Sequence, residues 1–309
     1  MWYIACMTQL GALARACLMP GQRGKVLAAF SNAAYLLTEA GELFWIGTDD
    51  TPMHQRCAQV SAQLIGLSAG APFHAEAQHL AIDPGFIFDV GQAASWSAPR
   101  LNPAQVVEIA GLPAHVAVFF SRLDFSQAQG FGAFIPHLLS LTRNESISPA
   151  ADFTDPVLRF ARPLVLDMAQ ACLDRQPVRI SKNADALIGL GAGLTPSGDD
   201  FLGGLLFAVR ILQAAYPSSN FGPYGFRVEN YQARTHVISF TLLKDLADGQ
   251  AIAPLHHIIK RLLTGEPLDS IDPFIAQLTQ IGHSTGWDML TGLLTGLLIT
   301  FQDPPLRAA

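Results

Sequence analysis

The sequence predicts an α+β fold, a β-rich N-terminal half followed by an all-helical C-terminal half with a pseudo-repeated helix entrance. Three observations carry this. Short alternating or β-branched runs crowd the first half, and amphipathic runs longer than ten residues fill the second. Between them lies "TRNESISPAADFTDP" (142–156), a polar stretch with two prolines. The boundary is therefore expected at 148/149, giving a β-rich domain over 1–148 and a helical domain over 149–309.

The N-terminal elements follow in order. "AAYLLTEAGELFWIG" (33–47) places two apolar segments around Glu-Ala-Gly, which predicts a hairpin. "CAQVSAQLIGL" alternates, and "GFIFDVG" and "HVAVFFS" are short apolar runs, all read as strands. "SAGAPFHAEAQ" and "GQAASWSAPRLNP", rich in small residues and proline, read as loops. In the second half, "DPVLRFARPLVLDMAQACLDR" is an amphipathic helix with an expected kink at Pro163. "RTHVISFTLLKDLADG" and "APLHHIIKRLLTG" each end on a glycine stop. The irregular stretch Tyr216 to Phe226 has the length of a lid or binding loop.

Composition narrows the function classes. Half of the 309 residues are hydrophobic and 14% are charged, which suits a large buried core. The net charge of −6, with no basic run, excludes the footprint of a nucleic-acid binder. Cys6, Cys17, Cys57 and Cys172 are too dispersed for a disulfide framework or a zinc knuckle, which suggests a reducing compartment. No basic residue precedes Arg15, as a signal peptide would require, and apolar runs such as Met289 to Phe301 are too short to span a bilayer. A cytoplasmic protein without membrane partners is expected.

The chemistry concentrates in "LIGLGAGLTPSGDDFLGGLLFAVR" (187–210). Ser197 reads as an N-cap with Asp200 at the third helical position, a variant of the capping box. Capping alone needs only one acidic residue and does not need Gly189, Gly191, Gly193 and Gly198 together. The pattern also recurs: "SGDDFLGGLL" (197–206) aligns with "TGWDMLTGLL" (285–294) as hydroxyl, Gly, x, Asp, apolar, Leu, x, Gly, Leu, Leu. Asp200, Gly204 and Ala208 fall on one helix face, as do Asp288, Gly292 and Gly296. Such stripes of small residues predict that the two helices pack together. Packed parallel, they would bring Asp200 and Asp288 to one end; packed antiparallel, they would leave them about 18 Å apart. Two ordinary core helices of a repeated hairpin would show the same stripes without any site.

Two kinds of ligand suit such a mouth. Glycine-rich turns at helix N-termini cradle phosphate through backbone N–H groups, but adjacent carboxylates would require a bridging Mg²⁺ or basic partners. Carboxylates also accept hydrogen bonds from N–H-rich groups such as a urea, an amide or a carbamoyl. In that reading Asp199 and Asp200 orient the ligand beside Asp288. Gly191, Gly193, Thr195, Ser197, Gly198, Ser284 and Thr285 line the site, His283 carries a proton, and Arg234 neutralises a carboxylate or phosphate. Thr235 and Ser239 are weaker candidates. His256-His257, His74 and His79 lack a metal-ligand spacing. The "GLGAG" run is followed by Thr-Pro-Ser-Gly-Asp-Asp where a dinucleotide fingerprint would continue into its helix.

These motifs resemble a bacterial family, the AllH-type subunit of oxamate carbamoyltransferase. "GLGAGLTPSGDDFLGGLL", "IGHSTGWDMLTGLL" and "RTHVISFTLLKDLADG" carry the resemblance, with "FSNAAYLLTEAGELFWIG" a looser likeness. Ala192 stands where the family usually has proline, a departure that removes no functional group. The resemblance implies a role in anaerobic use of allantoin nitrogen from purine catabolism. There oxalurate and phosphate become oxamate and carbamoyl phosphate through three different subunits acting together, with no cofactor required beyond an optional Mg²⁺. Two alternatives stay open: a metal-dependent amide or ureido hydrolase with Asp199, Asp200, Asp288 and His283 as ligands, and a non-catalytic structural subunit.

Overall fold

A computed structural model describes residues 3–145, 153–219, 221 and 226–301. Residues 146–152 of the expected boundary stretch, and 220 and 222–225 of the expected binding loop, lie outside the described residues. The chain divides into two compact units, Met1–Pro99 and Arg100–Ala309.

The first unit contains β1 (Tyr3–Gly11), α1 (Ala12–Cys17), β2 (Arg23–Ala29), β3 (Ala33–Thr38), β4 (Leu43–Thr48), β5 (Cys57–Val60), β6 (Pro72–Ala75), β7 (His79–Ile82), β8 (Phe86–Asp89) and β9 (Ala94–Trp96). The strand order is β5-β4-β3-β2-β6-β7-β8-β1-β9, and β5 also pairs with β1. That extra pairing closes the sheet on itself and leaves few open edges. The predicted hairpin is present as β3 and β4, with Leu36 opposite Phe44. β4 is buried along its whole length, which explains its unbroken apolar run. Two stretches read as loops contain strands instead. β6 runs antiparallel to β2 and β7, and the three-residue β9 pairs with the end of β1, so ladder hydrogen bonds override their small-residue composition.

The second unit contains α2 (Leu112–Phe120), α3 (Ile135–Thr142), α4 (Pro156–Leu173), α5 (Pro177–Leu187), α6 (Ser197–Ala215), α7 (Val237–Ala247), α8 (Ala253–Thr264), α9 (Asp272–Thr279) and α10 (Thr285–Leu297). "HVAVFFS", read as a strand, lies in α2. Leu112, Val116, Phe119 and Phe120 are its buried residues, a helical spacing that the unbroken apolar run concealed. The compact units therefore part at Pro99/Arg100, about fifty residues before the expected boundary. The helical turns and helices from 103 to 142 share one hydrophobic core with α4 to α10. α4 continues through Pro163 as a single helix. α8 ends on Gly265, whose left-handed φ of 64° supplies the predicted glycine stop.

α6 and α10 form the centre of this core and pack parallel. A Cβ on Gly292 would fall on the Phe201 carbonyl, and one on Gly296 on Leu205 and Ala208. A Cβ on Gly204 would strike the Met289 carbonyl. Residue numbers rise together along both helices, so the two N-termini lie side by side.

Candidate functional site

Each entrance is built in the same way. α5 leads through a glycine-rich turn into α6, and α9 leads through a shorter turn into α10. A Cβ on Gly198 would overlap the Leu187 carbonyl at the end of α5, and one on Gly286 would overlap the Leu278 carbonyl in α9. The shared hydroxyl-Gly step is thus required where each preceding helix passes close by. In the first turn Gly189, Gly191 and Gly193 have φ of 74°, 121° and 93°, all left-handed. Gly191 also abuts the Ser197 amide, whereas Gly193 meets nothing within 4 Å.

α6 starts at Ser197, and Pro196 occupies the cap position with no side-chain capping bond. The expected capping box is therefore absent. The Ser197 hydroxyl instead meets Ser284 Oγ at 3.4 Å, and Thr195 Oγ1 meets Thr285 Oγ1 at 3.1 Å. Two pairs of hydroxyls thus bridge the two entrances. All four residues are partly exposed, and they form the rim of the site.

The three aspartates behave differently. Asp199 accepts hydrogen bonds from the Gly189 amide at 2.7 Å, from Ser239 Oγ at 2.6 Å and from Thr235 Oγ1. Its carboxylate ties the glycine turn and the start of α7 to α6. Asp200 and Asp288 lie below the rim, 3% and 0% exposed. Asp288 Oδ1 accepts the Phe131 amide at 2.6 Å, while Asp288 Oδ2 and Asp200 Oδ2 are buried without a hydrogen-bond partner.

Burial pushes Asp200 well above the usual carboxylate range. The charges of Asp288 and Asp199 add to this, against the hydroxyls of Thr285 and Thr195. Burial also raises Asp288 to about 6, opposed by the Phe131 amide and the hydroxyls of Ser284 and Ser197. Each carboxyl therefore answers to its own pair of rim hydroxyls. The arrangement can accept N–H donors at the rim and hold a proton beneath it.

The remaining candidates lie around this centre. His283 and Gly282 are exposed on the turn before α10, and Gly282 adopts a left-handed φ of 60°. The Arg234 guanidinium donates to the Asp185 carbonyl at 2.6 Å and lies over the Tyr231 ring. Its own backbone carbonyl packs against Gly189. Among the described residues, no group of three or more His, Cys, Asp or Glu side chains is placed to hold a metal ion, because Asp199 is turned toward α7.

Two participants escaped the sequence reading. The 3₁₀ turn Gly130–Phe134 closes over Asp288, and a Cβ on Gly130 would strike Asp288 Oδ1 and Ser284. The Phe131 ring also packs edge-on against Phe201 at 5.8 Å. "GFGAF" is the only local trace of this contact, and its glycines had no visible partner 150 residues away.

No solved structure matches the chain significantly. The family whose model matches is described as oxamate carbamoyltransferase subunit AllH, and the match spans residues 187–297. That span holds both helix entrances, the Asp199 hub and α7. It leaves out the first unit, with its looser "FSNAAYLLTEAGELFWIG" likeness, and the Gly130–Phe134 turn. Residues 187–297, which hold both helix entrances, are thus similar to the AllH family of oxamate carbamoyltransferase subunits.

Proposed function

We propose that the chain is a subunit of a carbamoyltransferase that interconverts oxalurate plus phosphate with oxamate plus carbamoyl phosphate, acting together with other transferase subunits. One observation carries this reading. The segment matched by the family holds both look-alike entrances, and these converge on one rim of four hydroxyls above two buried carboxyls. A ureido group offers N–H donors to hydroxyl and carboxyl oxygens, and two adjacent positive helix ends favour phosphate at the same rim. Thr195, Ser197, Ser284 and Thr285 would orient the substrate, and the turn at Gly191 to Gly193 would let phosphate approach the backbone. Asp199 would set the turn's shape rather than touch the ligand.

The test is phosphorolysis of oxalurate by the chain purified with its partner subunits. Carbamoyl phosphate should form, and oxalurate with phosphate should raise the melting temperature of the chain more than Mg²⁺ alone does. No carbamoyl phosphate from the assembled subunits overturns the reading. The structural-subunit alternative draws support from Asp199 and Gly198, whose roles are fully taken up by packing. It predicts partner binding with no thermal response to any of these compounds.

A further inference from the structure

We propose that Asp200 and Asp288 hold one proton between them and act as the acid–base pair of the transfer, each reaching the substrate through its own two rim hydroxyls. This rests on the carbamoyl-transfer reading of the same site. The geometric ground is the pair of orphaned oxygens. Asp200 Oδ2 and Asp288 Oδ2 are both buried without a partner. They sit at the matching positions of two helices packed in parallel. Two ionised carboxylates could donate nothing to each other, so both buried oxygens would remain unsatisfied. A single shared proton satisfies both oxygens and removes the repulsion between like charges.

Among the described residues, no positively charged group acts on either carboxyl. The groups acting on Asp200 are Asp288, Asp199, Thr285 and Thr195, and those acting on Asp288 are the Phe131 amide, Ser284 and Ser197. No Lys, Arg or His is among them. Asp199 is occupied by Gly189, Thr235 and Ser239. The hydroxyls of Thr195 and Thr285 meet each other at the partly exposed rim and act on Asp200 beneath it, as those of Ser197 and Ser284 do on Asp288.

The proton balance of the reaction fits such a pair. A phosphate oxygen bonds to the ureido carbonyl carbon, and the bond from that carbon to the amide nitrogen breaks. The protonated carboxyl gives its proton to the departing nitrogen through one hydroxyl pair. The ionised carboxyl takes the proton of the hydrogen phosphate through the other. The pair ends with the one proton it began with, and no further reactant is needed. The exposed His283 need not move a proton in this scheme.

Two measurements decide the matter. Carbon-13 NMR of the full wild-type chain, labelled at the aspartate carboxyl carbon, should show two carboxyls titrating together above the ordinary range, with one proton still bound at pH 7. Two fully ionised carboxyls at pH 7 in the folded chain would overturn the shared proton. In the assembled transferase, D200N and D288N should each lower the phosphorolysis rate about 10²- to 10⁴-fold and change the pH–rate profile, with near-wild-type circular dichroism. Wild-type rates and profile in either variant would overturn the acid–base role. A wild-type assembly with no phosphorolysis counts against the proposed function, and the NMR titration still decides the proton pair.

Discussion

Asp199 sends both carboxylate oxygens to named donors, whereas Asp200, the next residue, keeps one oxygen without any. Adjacent positions on a helix point about 100° apart, so one faces α7 and the other faces α10. Replacing Asp199 with Ala would strand the Gly189 amide and two hydroxyls. Urea denaturation should show a loss on the order of 3 kcal/mol. Asp288 makes the opposite contribution. Its carboxyl is raised from 3.8 to about 6, so the folded chain binds a proton that the unfolded chain releases between those values. Stability from this group is therefore greatest below about pH 4, falls as pH rises to about 6 and stays low above it, a loss of about 3 kcal/mol. Asp200 adds to the same trend. D288N keeps an acceptor for the Phe131 amide and removes the titration. Its melting temperature should exceed that of wild type at pH 7 to 8, and the gap should close near pH 4. A constant gap across that range would contradict the assignment.

The two helix entrances owe their common sequence largely to packing. Gly198 and Gly286 pass the helices before them, and Gly204, Gly292 and Gly296 let α6 and α10 approach backbone to backbone. Gly292→Ala would place a methyl group on the Phe201 carbonyl and force the two helices apart. Chemical denaturation should register a loss of about 2–3 kcal/mol, or failure to fold. Gly193→Ala meets open space and bears only the strain of a left-handed φ, so a loss of about 1 kcal/mol is expected. Equal effects at the two positions would argue against close packing at Gly292. The small-residue stripe of these helices was legible because Gly204 and Ala208, like Gly292 and Gly296, stand four residues apart on one face. The N-cap assignment of Ser197 failed because its hydroxyl turns to Ser284, a partner 87 residues away.

Each compact unit has its own hydrophobic core, one centred on the closed sheet and one on α6 and α10. Between Trp96, which ends β9, and Pro103, which opens the next helical turn, the chain forms no regular element. Limited proteolysis should cut within this stretch and leave two fragments that each unfold cooperatively. Loss of structure in both fragments after that cut would contradict two independent cores. Among the described residues no helix is long and apolar enough to cross a membrane.

Much of this plan can be read without coordinates. Short apolar or alternating runs give β3, β4, β5 and β8, four of the nine strands among the described residues, glycine stops end α7 and α8, and the repeated hydroxyl-Gly-x-Asp pattern marks the helix entrances. All of these are local, because a backbone's preferences depend on residues a few positions apart. Folding alone settles that α6 and α10 run parallel, that Phe131 closes over Asp288, and that residues 103–142 share a core with the later helices. Those outcomes depend on which apolar faces and small-residue stripes fit together across the chain. That complementarity is a property of the packed interior and leaves no trace in any short window of sequence.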